Sequence, residues 1–186
     1  MSKIIVFSLL MMASATAAAA QSVFMIKGAS KLYDVRISVS KCDDDTCEGT
    51  GKVELVKKDA KAVFQTINME NIFIELGQDR KPTANLIELY GENNSGIVFD
   101  DFNFDGVDDI ALRNGNNGGY GGPSYDILLF SPATRKFINN RSLTKLASET
   151  LGLLTVDKKA KTIETFSKSG CCWHQTTRYS IVKDRP

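Results

Sequence analysis

Residues 101–109, the stretch DFNFDGVDD, gather the side chains best suited to bind or react. Oxygen-bearing side chains fall at Asp101, Asn103, Asp105 and Asp109, and Gly106 follows the third of them. Alternate side chains converge when a backbone curls around an ion. The glycine permits the sharp turn, and the carbonyl of Val107 adds a further oxygen. Hard oxygen donors of this kind suit Ca2+ better than zinc or copper. The simpler alternative is an acidic β-turn, since Asp and Asn favour turns on their own account. Three spaced ligands, a glycine and a fourth carboxylate point to calcium. The loop differs from an EF-hand in two respects: Leu112 stands where a bidentate Glu would close the shell, and the flanks GIVF and IALR read as strands. Asp100 and Asp108 are adjacent acids expected to face outward.

Other catalytic sets are poorly represented. The chain has one histidine, His174, so no His pair exists for metal-assisted hydrolysis. No Gly-x-Ser-x-Gly elbow frames a nucleophilic serine. Cys171-Cys172-Trp173-His174 could be read as a Cys–His site, but in an exported β-domain it is more simply a disulfide beside core residues. Paired carboxylates for glycoside cleavage occur only inside the calcium turn, where the ion would occupy them. The expectation is a binding protein and not an enzyme.

Next to the calcium turn lies NGNNGGYGGPSY, residues 114–125, a long glycine- and asparagine-rich loop. Long ordered loops in compact domains are commonly functional. Glycines lose the most entropy on ordering, so a rigid ion-bound turn one strand away would limit their motion. The loop offers Tyr120, Ser124 and Tyr125 to a partner. Tyrosine supplies large contact area at low entropic cost and is enriched at binding hot spots; for Tyr125, packing at the start of a strand is the competing reading.

The rest of the chain must position these segments. Residues 1–20 carry Lys3, an apolar run from Ile4 to Met12, and small residues ending at Ala20. This is the pattern of a signal peptide cut between Ala20 and Gln21, and the apolar run is short for a membrane anchor. Residues 21–186 are therefore expected to form one exported, periplasmic domain with no membrane span. The whole chain carries a net charge of +1, and Lys3 accounts for it. A neutral mature chain gives no sign of a nucleic-acid or anionic-membrane partner.

Four cysteines, Cys42, Cys47, Cys171 and Cys172, imply two disulfides in an exported protein. A local pairing and the crossed pairings both remain open; the spacing does not match a structural zinc site. LYDVRISVS alternates apolar and polar residues, as a half-buried strand does. KVELV, following CEGTG as a turn, completes a hairpin over 32–57. VFQTINM, NIFIEL, NLIELY, GIVF, DIALR, YDILLF, LTV, TIETF and TTRYSIV continue the series of short strands. Only residues 141–152 look helical. The fold class is all-β, mostly antiparallel sheets in a sandwich or partial propeller, with at most one short helix.

The stretches VFDDFNFDGVDDIAL, NGGYGGPSYDILLFSPATRKF and SGCCWHQTTRYSI resemble a family of small exported bacterial proteins that carry one D-x-N-x-D-G-x-x-D turn. The likeness spans residues 97–182 and extends to periplasmic lysozyme inhibitors and to immunity proteins against peptidoglycan hydrolases. It implies a calcium-binding protein that inhibits such a hydrolase by inserting a Gly/Tyr-rich loop into its cleft. Relatives insert a serine and a tyrosine from an S-G-x-x-Y pattern. This chain has Gly119-Tyr120 and Ser124-Tyr125 instead. The alternative is a calcium-dependent envelope or adhesion module without inhibitory activity; a single copy of the turn counts against it.

Overall fold

The structure, a computed structural model, describes residues 21–88 and 94–186. The expected signal peptide lies outside these residues. Three antiparallel sheets follow one another along the chain. The first is a meander of β1 (Ser22–Ile26), β2 (Tyr33–Cys42), β3 (Thr46–Lys57) and β4 (Val63–Glu75), adjacent in that order. The second is a meander of β5 (Ile97–Asp100), β6 (Asp109–Gly115), β7 (Ser124–Ser131) and β8 (Lys136–Asn139). After the helix α1 (Arg141–Glu149), β9 (Thr155–Asp157), β10 (Thr162–Ser169) and β11 (Trp173–Ser180) form the third sheet, with β10 central. The all-β reading with one short helix holds. No helix among the described residues is long and apolar enough to cross a membrane.

Sheet two is the middle layer, and its sequence shows why. Ile97, Ile110, Leu112 and Leu128 point to one side and join Val35, Ile37, Leu55 and Ile72 of sheet one in a first core. Their neighbours Val98, Ala111, Ile127 and Leu129 point to the other side, where they meet Leu143 and Ala147 of α1 and Leu154 and Ile163 around sheet three. A strand apolar on both faces reads as a continuous hydrophobic run, which is what ILLF is. Fully burying one such Leu or Ile contributes roughly 1.5–3 kcal/mol.

Several local expectations change. Residues 47–51, read as a turn, lie inside β3. The turn falls instead at residues 43–45, where Cys42 and Cys47 are directly opposed. A register shift around Gly49 (φ +113°) absorbs the glycines as a bulge. VFQTINM and NIFIEL are one 13-residue strand, β4. In NLIELY, residues 85–88 form no strand, and the remainder lies outside the described residues. β1 and β8 were not anticipated.

Both disulfides are local. Cys42 and Cys47 have sulfurs 1.96 Å apart, and Cys171 is bonded to Cys172 at the tip of the β10–β11 hairpin. The crossed schemes are thereby set aside.

Candidate functional site

The carboxylate loop closes the β5–β6 hairpin, whose last pair is Asp100 opposite Asp109. Inside it, side chains fold the backbone back on itself. Asp101 accepts from the N–H groups of Asp105 (3.1 Å) and Gly106 (2.9 Å). Asn103 Oδ1 accepts from Asp105 N–H at 3.3 Å, and Asp105 Oδ1 from Val107 N–H at 2.8 Å. Phe104 and Gly106 take left-handed backbone angles, φ +63° and +89°, to complete the curl. Asn103 Nδ2 donates to Asp105 Oδ2 (3.1 Å) and to Asp184 Oδ1 (3.0 Å), bringing the C-terminal segment to the loop.

Asp109 differs from the others. It is fully buried, and its two oxygens accept from Phe102 N–H (3.0 Å) and Phe130 N–H (2.8 Å). Burial pushes its carboxyl up to about 7, against the lowering effect of those two hydrogen bonds; the charges of Asp105 and Asp101 push the same way. Asp109 is thus a brace that ties the turn to β7. Asp100 is engaged by Lys158 Nζ at 2.7 Å. Among the described residues, no three His, Cys, Asp or Glu side chains gather into a metal-binding group. The oxygens nevertheless fit a hard cation chemically. All donors are carboxylate, amide or carbonyl oxygens, and mutual repulsion among Asp101, Asp105 and Asp109 is what a cation there would relieve.

β6 runs from this turn to the glycine-rich loop. Arg113 lies near its end, almost fully buried, with Nη1 2.8 Å from Glu75 Oε1 of β4 and its guanidinium carbon 4.2 Å from the Phe73 ring centre. The loop itself is 116–123, since Gly115 and Ser124 belong to strands. A single 3-10 turn, Gly119–Gly121, occupies its middle. It is pinned at several points. Gly119 N–H donates to Thr150 O at 2.8 Å, and Gly118 N–H to Gly122 O at 3.0 Å. A Cβ on Gly118 would lie 2.6 Å from Pro123 O, so only glycine fits there.

Of the three loop residues expected to meet a partner, the structure presents one. Tyr120 is 62 % exposed, with φ +57°. Its hydroxyl accepts the Gly170 N–H, and Lys168 Nζ sits 5.1 Å from its ring centre. Ser124 and Tyr125 are buried at 1 % and 0 % exposure, a correction to their expected role. Ser124 Oγ donates to Asn114 Oδ1 at 2.6 Å and accepts Asn117 N–H, which ties the loop ends together. Tyr125 sits in the second core with its hydroxyl 3.3 Å from Ser95 O, and burial raises its pKa to about 12.

The sequence did not single out the neighbours that complete Tyr120's surface. Gly170 begins the tip of the β10–β11 hairpin; Cys171, Cys172, Trp173 and His174 follow it and are exposed, Trp173 at 52 %. Trp173 pairs across the hairpin with Ser169, so it projects to the side opposite Lys168, the residue that lies over Tyr120. The sequence signal for this tip is CCWH, which reads equally well as core.

Comparison with known protein families and with curated proteins gives no match. Among solved structures, the chain is similar to a Xanthomonas protein described as related to a type IV secretion system, with 24% sequence identity and a TM-score of 0.69. The likeness covers 91% of this chain and 79% of that one. It is a likeness of fold.

Proposed function

We propose that this is an exported, calcium-stabilised binding protein that inhibits a peptidoglycan hydrolase, with Tyr120 at the centre of the contact face. The observation that carries the reading is the pinned, exposed Tyr120. Its 3-10 turn is fastened to Thr150 and its hydroxyl to Gly170. An aromatic side chain already held in one position loses little entropy on docking. It offers an aromatic anchor of the kind that dominates protein interfaces.

In this reading Ca2+ is held by Asp101, Asn103, Asp105 and the Val107 carbonyl, with Asp109 bracing the turn from beneath. The ion supplies charge neutralisation and no chemistry. The chain's own residues carry the order onward: Asp109 ties the turn to β7, Arg113 ties β6 to β4, and Ser124 closes the base of the loop. The contact mode is an anchored face rather than a loop bearing a serine–tyrosine pair, because Ser124 and Tyr125 are consumed by the fold.

Mixing the mature protein with a panel of lysozymes and cell-wall hydrolases tests this. Turbidity loss of purified peptidoglycan should slow for at least one enzyme, and a complex should elute from a sizing column. Unchanged rates and no complex across the panel would sink the reading.

A further inference from the structure

A cleft of about 500 Å3 opens between β4 of the first sheet and β6–β8 of the second. It is held open from both ends. At one end the Gln65 side chain acts as a backbone surrogate, donating to Phe137 O (2.9 Å) and accepting from Phe137 N–H (2.8 Å). At the other, Asn71 Nδ2 donates to Asn114 O at 2.8 Å, and Arg113 pairs with Glu75. Clamps at both ends make a preformed cavity, which is what ligand sites usually are.

The lining is chemically one-sided. Its polar residues are five asparagines, Asn68, Asn71, Asn114, Asn117 and Asn139, with Glu70 and Asp126. Among the described residues, no Lys, Arg or His lines it. Ile67, Met69, Leu112 and Leu128 supply the apolar part. Asn71 and Asn114 are spent on structure, the latter donating to Asp126 Oδ1 at 2.9 Å. The side chains of Asn68, Glu70 and Asn117 make no hydrogen bond to any described residue.

With no cationic side chain, the cleft has nothing to neutralise an anion. Amide groups both donate and accept, so they match ligands whose groups do the same. Glu70 and Asp126 make a cation the competing occupant, which the spermidine control tests. Hydroxyl groups are the complement, and the leucine and methionine surface suits the C–H face of a sugar ring. We propose that this cleft binds a neutral oligosaccharide, held by Glu70, Asn117, Asp126 and Asn139.

This site is independent of the hydrolase reading, and its test reads sugar rather than enzyme. The 15N-labelled mature protein is titrated with tri-N-acetylglucosamine, with maltotriose and, as a cationic control, with spermidine. A neutral trisaccharide should bind with a Kd below about 1 mM, and its shifts should map to β4 and β6–β8. Asn117→Ala, at an exposed position, should weaken binding about tenfold with an unchanged melting temperature. No shifts with either sugar at about 10 mM, shifts mapping elsewhere, or binding of spermidine alone would each overturn the proposal.

Discussion

Arg113 of β6 reaches across to Glu75 of β4 and makes a 2.8 Å ion pair at 3 % side-chain exposure for the arginine. This pair joins two sheets midway between the carboxylate turn and the Tyr120 loop. Its removal should be felt at both. Arg113→Met leaves Glu75, itself 21% exposed, with the Asn94 N–H as its remaining partner. The expected cost is about 2–4 kcal/mol, the lower part of the range for a broken buried pair because Glu75 keeps some solvent. Urea unfolding measures it, and a loss under about 0.5 kcal/mol would show the pair to be dispensable.

Calcium should stabilise the fold. An ion that binds only the native state adds about 2.7 kcal/mol at a hundredfold excess over its Kd. Melting curves with added Ca2+ and with chelator should therefore separate, and Asp101→Asn with Asp105→Asn should bring them together. Superimposable curves for the unaltered protein would reduce 101–109 to an ordinary turn.

Asp109 gives the metal-free protein a distinctive pH response. Its folded-state pKa lies near 7 and its ordinary value near 3.8. Below 3.8 both states hold the proton and the group is neutral in effect. Between 3.8 and 7 the unfolded chain releases its proton while the folded chain keeps it, so stability falls with rising pH, by up to about 4 kcal/mol. Asp109→Asn cannot titrate. In chelator, its stability relative to wild type should climb from pH 4 to pH 7.5; a constant difference would mean Asp109 is ionised throughout. Bound calcium favours the carboxylate and should flatten the trend.

The Tyr120 loop depends on close backbone approach. Gly118→Ala places a methyl 2.6 Å from Pro123 O, and the backbone must shift to admit it. A cost of about 1–3 kcal/mol is expected. Hydrogen exchange at residues 116–123 should rise by comparison with the rest of sheet two. Unchanged exchange would show that the loop has more room than its contacts suggest.

Much of this could be read from the residues, and the failures share a cause. The carboxylate turn, the β5–β6 and β6–β7 hairpins and α1 all carry local signals: alternation, turn residues, an asparagine cap. Asn140 Oδ1 does accept Leu143 N–H at 3.0 Å. Packing of Tyr125 was one of two open readings and the burial of Ser124 was not legible, because sheet two is covered on both faces and a doubly covered strand shows no polar side. CEGTG resembled a turn because its glycines serve a bulge instead. The cleft was invisible for another reason. Its polar residues are scattered from 68 to 139 and meet only when sheet one packs on sheet two.

The contact face is centred on Tyr120, and truncating that side chain reads its contribution. With a hydrolase found to bind, the Kd of wild type and of Tyr120→Ala should be measured by calorimetry. Tyr120 is exposed, so the variant should fold with stability within about 1 kcal/mol of wild type. The variant should lose at least about thirtyfold in affinity, the mark of a hot spot, and should release the enzyme from inhibition. Equal affinity for the two proteins would overturn the role of Tyr120 and move the contact face elsewhere on the molecule.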